Sequence, residues 1–138
     1  MKRMTVLLLF AVVFMVTACR GQGDNYAVPP TITWKDADRY LDKDVYVVGK
    51  IVRTGIGRSG QCYLNFDEDW KNTLTIFIPK PAIAKFKDPP QDFYKGKTVK
   101  VRGKLYVFKD SKVPNIKIED PAAITILSDD AAILKQVG

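Results

Sequence analysis

The side chains able to do chemistry in this sequence fall into three sets. Asp67-Glu68-Asp69 is the one dense run of carboxylates, the ligand type a hard metal ion needs. The run sits where a turn is expected between two apolar alternations, and turns recruit acidic residues for their own hydrogen bonds. The alternating ligand spacing of an EF-hand loop is not there. The sequence contains no histidine, so the commonest general base and the commonest metal ligand are both missing. The nucleophile motifs G-x-S-x-G and S-x-x-K are missing as well. A protein without catalysis, metal or cofactor is the expectation. The second set is aromatic, cationic and polar. Tyr63, Trp70 and Tyr106 could stack on a base or a sugar ring, Arg53, Arg58, Lys109 and Lys112 carry positive charge, and Asn65 adds a hydrogen-bonding group. Cations tracking a chain with aromatics between them are what a single-stranded nucleic acid requires. The third set is the pair of cysteines, Cys19 and Cys62.

Cys19 follows a leader with three parts. Lys2 and Arg3 are charged, Val6 to Val16 is apolar and too short to span a bilayer comfortably, and small residues precede the cysteine. Val16-Thr17-Ala18-Cys19 resembles the lipobox of bacterial lipoproteins. The resemblance implies removal of residues 1–18 and lipidation of Cys19 by diacylglycerol and a further acyl chain such as palmitate. Two or more chains hold a protein on a membrane stably, where one does not. It implies an exported, lipid-anchored protein. Arg20, where an aspartate would retain the protein at the inner membrane, favours the outer membrane facing the periplasm in a Gram-negative cell. Residues 19–32, with Gly21, Gly23, Pro29 and Pro30, read as a flexible spacer. Cys62 then has no partner for a disulfide, and its parity with Leu64 and Phe66 makes it a buried apolar residue.

The remaining 120 residues suffice for one domain with a core. The chain carries 22 Lys and Arg against 15 Asp and Glu, a net charge of +7 that falls to +5 without Lys2 and Arg3. A basic surface attracts nucleic acid, anionic lipid or acidic glycans, and also keeps a protein soluble. The domain is expected over residues 33–128, with a tail over 129–138 whose residues 129–137 form a short helix. A capped helix is expected from Thr33 to Leu41, and a long strand over 44–54, bent at Gly49. Strands follow over 61–66 and 73–78, with a short helix over 81–86. A second long strand over 98–109 carries Gly103 at its centre. A fifth covers 115–118, and 124–127 is extended.

Three strands, a helix and two strands is the order of the OB-fold, an all-β, five-stranded Greek-key barrel, here with short flanking helices. Two long strands bent at inner glycines suit the closure of so small a barrel. Val47-Val48-Gly49-Lys50-Ile51-Val52, Tyr63-Leu64-Asn65-Phe66, Gly96-Lys97-Thr98-Val99-Lys100-Val101-Arg102-Gly103-Lys104 and Ile116-Lys117-Ile118-Glu119-Asp120-Pro121 resemble bacterial OB-fold domains of the nucleic-acid-binding superfamily. OB-folds bind across strands two and three, between the first loop and the loop joining strands four and five. The resemblance therefore groups Arg53, Arg58, Tyr63, Asn65, Trp70, Tyr106, Lys109 and Lys112 on one candidate face for single-stranded nucleic acid or another anionic polymer. Against this, Lys50, Lys100, Arg102 and Lys104 alternate with apolar residues, as on any strand solvated on one face. Tyr63 and Trp70 could equally cover barrel ends, and Asn65 a turn. The alternative is a monomeric envelope module that holds a protein partner and no nucleic acid.

Overall fold

The structure is a computed structural model that describes residues 28–127. The expected signal segment 1–18, Cys19, the spacer up to Ala27 and the helix expected over 129–137 lie outside the described residues.

Alternating apolar side chains commit the chain to strands with one inward face. Strands β1 to β5 are Thr31–Thr33, Asp44–Lys50, Arg53–Ile56, Cys62–Asn65 and Thr75–Ile78. Strands β6 to β8 are Thr98–Val107, Pro114–Lys117 and Ile124–Ile126. Strands β2 and β3 are halves of one long strand. At the break, Ile51 still pairs with β6's approach, its N–H donating to the Lys97 carbonyl at 2.9 Å. The next N–H, of Val52, donates to the Asn65 carbonyl at 3.0 Å. The strand thus leaves one neighbour, β6, for another, β4, within a single residue step. Strands β3–β4 and β4–β5 pair antiparallel, β5–β7 parallel, and β7–β6 and β6–β2 antiparallel. The circuit closes on the strand where it began, which is the five-stranded Greek-key barrel of the OB-fold. Val47, Ile51, Leu64, Ile76, Val101 and Ile116 point inward and are fully buried, each contributing about 1.5–3 kcal/mol.

The long strand breaks at Ile51-Val52, two residues beyond the expected bend at Gly49. Gly49 serves packing. A Cβ there would lie 2.6 Å from Phe66 Cδ1 and 2.7 Å from Trp34 Cδ1, and those two rings stack with a 3° interplanar angle. Gly103 likewise makes room, for Ile116, whose Cγ1 would be 2.8 Å from an added Cβ.

Thr31 and Ile32, expected in the spacer, lie in β1, parallel to β2. The segment expected as a capped helix is a 3-10 helix, Trp34–Tyr40. Its Thr33 caps no backbone group; the hydroxyl donates to Asp36 Oδ2 at 3.1 Å. Between β5 and β6 the single expected helix is two single turns, α1 at Lys80–Ile83 and α2 at Pro90–Phe93. Pro89 and Pro90, which looked like a simple break, start the second turn. It is followed by Tyr94, 5% exposed and packed edge-on against Phe93 and Phe86. The extended piece at 124–126 is β8, antiparallel to β6 at Val99–Val101.

Cys62 is fully buried. Burial, with a smaller contribution from Asp92, pushes its thiol up to about 12, so it remains a neutral small apolar residue. Among the described residues, no helix is long and apolar enough to cross a membrane.

Candidate ligand-binding groove

The registers of β3, β4, β5, β7 and β6 fix which side chains share the outer face. Arg53 pairs with Asn65, Asn65 with Thr75, Thr75 with Asn115, and Asn115 with Tyr106. These five form one outward row across the whole barrel wall. The next outward row runs Gly55, Tyr63, Phe77, Lys117. Because β5 and β7 pair in parallel, Thr75 and Asn115 become neighbours although they are distant in sequence.

Asn65, Thr75 and Asn115 of the first row form the floor of a groove of about 570 Å3. Its walls come from loops. On one side, the β4–β5 turn carries Trp70 and Lys71; on the other, the β6–β7 loop carries Phe108, Ser111 and Val113. That second loop is held tight. Asp110 takes a left-handed conformation with φ of 68°, which aspartate tolerates better than most residues. The Ser111 N–H donates to the Phe108 carbonyl at 2.9 Å, and the Val113 N–H to Ser111 Oγ at 3.1 Å.

Walls and floor differ in character. Trp70 and Phe108 are 41% and 46% exposed, and Ile56 at the groove's end is 50% exposed. Beneath them Asn65, Thr75 and Asn115 are only 4–6% exposed. Aromatic contacts continue along the same wall, with Tyr63 to Phe77 at 5.7 Å, Phe77 to Phe108 at 6.0 Å and Phe108 to Tyr106 at 5.1 Å between centroids. Burial raises the Tyr106 hydroxyl's pKa, and nearby Tyr63 adds to the effect. The Tyr63 hydroxyl accepts from Gln61 Nε2 at 3.0 Å.

Positive charge sits on the rim. Arg53 and Lys71 lie 5.8 and 5.6 Å from the Trp70 ring, within cation–π range. Arg53 also approaches Glu68 at 3.8 Å, with both side chains half exposed or more. Such a pair contributes about 0–1 kcal/mol.

Of the residues singled out from sequence, Arg53, Tyr63, Asn65 and Trp70 line the groove. Tyr106 abuts it through Phe108. Arg58, Lys109 and Lys112 do not line it. Arg58 is exposed in the β3–β4 turn; Lys109 and Lys112 are exposed in the β6–β7 loop, where Ser111 and Val113, on either side of Lys112, face the groove instead. Asn65 holds no turn: its Oδ1 accepts from Thr75 Oγ1 at 2.9 Å. Sequence reading missed Ile56, Lys71, Thr75, Phe77, Phe108 and Asn115. The parity of Thr75-Ile76-Phe77-Ile78, with both isoleucines inward, was the available signal for Thr75 and Phe77.

The acidic run is occupied with its own turn. Asp67 Oδ1 accepts from the Asp69 N–H at 2.9 Å, and the Asp69 carboxylate accepts from Asn72 Nδ2 at 3.0 and 3.1 Å. Among the described residues, no group of three or more His, Cys, Asp and Glu side chains is placed to hold a metal.

No known family and no curated protein matches the chain. Solved structures similar to it include the Stn1–Ten1 complex of S. pombe, at 18% identity and a TM-score of 0.49 over 67% of this chain and 64% of that one. An asparaginyl-tRNA synthetase from Pyrococcus horikoshii is 10% identical with a TM-score of 0.48, over 70% of this chain and 22% of that one. An aspartyl-tRNA synthetase from Entamoeba histolytica is 9% identical with a TM-score of 0.48, over 71% and 21%. The chain thus spans about a fifth of the length of these synthetases. The closed strand circuit establishes the chain itself as an all-β OB-fold domain.

Proposed function

We propose that this chain is a non-catalytic binding protein whose groove takes a single strand of nucleic acid, and that lipid on Cys19 tethers it to a membrane. The groove is the observation that carries the binding reading: exposed Trp70 and Phe108 as walls, with Arg53 and Lys71 on the rim. Flat rings stack on bases, and cations offset the phosphates between them. The lipobox-like Val16-Thr17-Ala18-Cys19 supports the anchor. A protein partner in the cell envelope is the second reading, and the same exposed Ile56, Trp70 and Phe108 favour it.

Titration of purified protein with fluorescent single-stranded oligonucleotides tests the first reading. Two to four phosphate contacts predict a log–log salt slope of about −1.5 to −3, and the oligonucleotide should be recovered uncut after incubation with magnesium. No binding at low salt would leave the envelope partner, sought by crosslinking in intact cells. Mass spectrometry of the membrane-extracted protein tests the anchor: an acylated Cys19 at the new N-terminus is expected, and an unmodified Cys19 would refute it.

A further inference from the structure

We infer that the groove reads the base as well as the strand: Asn65, Thr75 and Asn115 form a hydrogen-bonding floor that selects nucleobases by their polar edges. The inference rests on the single-strand reading above and deepens it.

Polar side chains on the outer face of a barrel ordinarily stand in water. These three are 4%, 6% and 6% exposed, so a ligand laid over them completes their removal from water, and each polar atom it then leaves without a partner is costly. Their hydrogen bonds satisfy them only in part. Thr75 Oγ1 donates to Asn65 Oδ1 at 2.9 Å, which leaves the two N–H groups of Asn65 Nδ2. Asn115 Nδ2 donates to the Val113 carbonyl at 2.9 Å. A carbonyl can only accept, so this bond fixes the orientation of the amide and leaves Asn115 Oδ1 as a free acceptor. Among the described residues, Asn65 Nδ2 and Asn115 Oδ1 have no protein partner. Neither is sealed from solvent, and both residues line the groove.

The floor therefore offers donors at Asn65 and an acceptor at Asn115. A phosphate or a carboxylate carries acceptors only and leaves Asn115 Oδ1 unanswered. The edge of an unstacked base carries N–H donors and acceptors together and answers both. The rim cations, Arg53 and Lys71, are the groups placed for the phosphates, while the ring faces of Trp70 and Phe108 are placed to stack. Stacking alone tolerates every base; a floor that must be hydrogen-bonded does not, because a ring without polar edges strands its amides.

The test uses the full chain in detergent and single-stranded DNA of about eight nucleotides, within the span of one OB barrel. Affinities are measured for thymine and adenine oligomers, and for oligomers whose rings are replaced by nonpolar rings of the same outline. The natural bases should bind about tenfold tighter than their nonpolar counterparts, the loss expected for one or two hydrogen bonds. In Asn65→Ala that advantage should collapse, with affinity for the nonpolar rings unchanged, which also reports that the barrel is folded. Equal affinity of the wild-type protein for natural and nonpolar rings would overturn the base-reading floor and leave the single-strand reading standing. Failure of every oligomer to bind at low salt would remove the single-strand reading itself, and this inference with it.

Discussion

Two outer faces of the same barrel carry cations and aromatics, and they differ in shape and in how far their polar groups are buried. On the β2–β6 face, Tyr46, Lys100, Arg102 and Lys104 look like a basic aromatic patch. There the charges are spent locally. Lys100 and Arg102 lie over the Tyr46 ring at 4.6 and 5.7 Å, and Arg102 meets Asp44 at 3.8 Å. On that face Arg102 and Lys104 are exposed, Tyr46 and Lys100 half-buried, and Val48 and Thr98 buried. On the β3–β4–β5–β7 face the cations are fewer, but loops raise Trp70 and Phe108 above a floor of nearly buried amides. The difference teaches that density of charge is a poor guide to a site on this fold. Concavity, and nearly buried polar groups with hydrogen-bonding capacity left over, are what set the groove apart.

The contrast can be broken by mutation. Trp70→Ala should weaken oligonucleotide binding most, by about 10- to 100-fold, the range for loss of one stacking platform. Tyr46→Ala, an aromatic truncation on the opposite face, should leave affinity unchanged; equal losses in a fluorescence titration would erase the distinction between the faces. Arg53→Ala should weaken binding less and should flatten the log–log salt slope by about 0.7, one single-strand phosphate contact. Lys104→Ala should not alter the slope.

Two further variants act on stability. Gly103→Ala forces a Cβ to within 2.8 Å of Ile116 in the core and should cost about 1–3 kcal/mol in denaturant melts, as overpacking does. Cys62 gives the smallest effect at neutral pH and a signed one in alkali. Its folded thiol is pushed up to about 12 from 9.0, so the neutral form is favoured by folding. The associated stability is fully present below pH 9 and is lost as pH rises toward 12, at no more than about 1.4 kcal/mol per pH unit. Cys62→Ala should flatten that alkaline limb in pH-dependent melts; an unchanged limb would assign it to other groups.

The barrel was legible in the sequence because alternation around Val45, Val47, Leu64, Ile76, Val99 and Val101 is the direct imprint of one buried face. The site was legible only at its conspicuous members, Tyr63, Asn65, Trp70 and Arg53. Thr75 and Asn115 read as ordinary half-solvated strand residues, and only the parallel β5–β7 pairing sets them side by side. Arg58, Lys109 and Lys112 do not line the groove; a charge in a loop has no parity, and nothing in the sequence says which way it points. Gly49 was marked correctly as special but for the wrong task, since the stacked Trp34 and Phe66 rings that need its space come from distant segments.

The most direct test of the account is residue-resolved NMR of the chain titrated with a single-stranded oligonucleotide at low salt. Shifts confined to Arg53, Tyr63, Asn65, Trp70, Thr75, Phe108 and Asn115 are the predicted result. Shifts centred on Tyr46, Lys100 and Arg102, or none at saturating oligonucleotide, would contradict it.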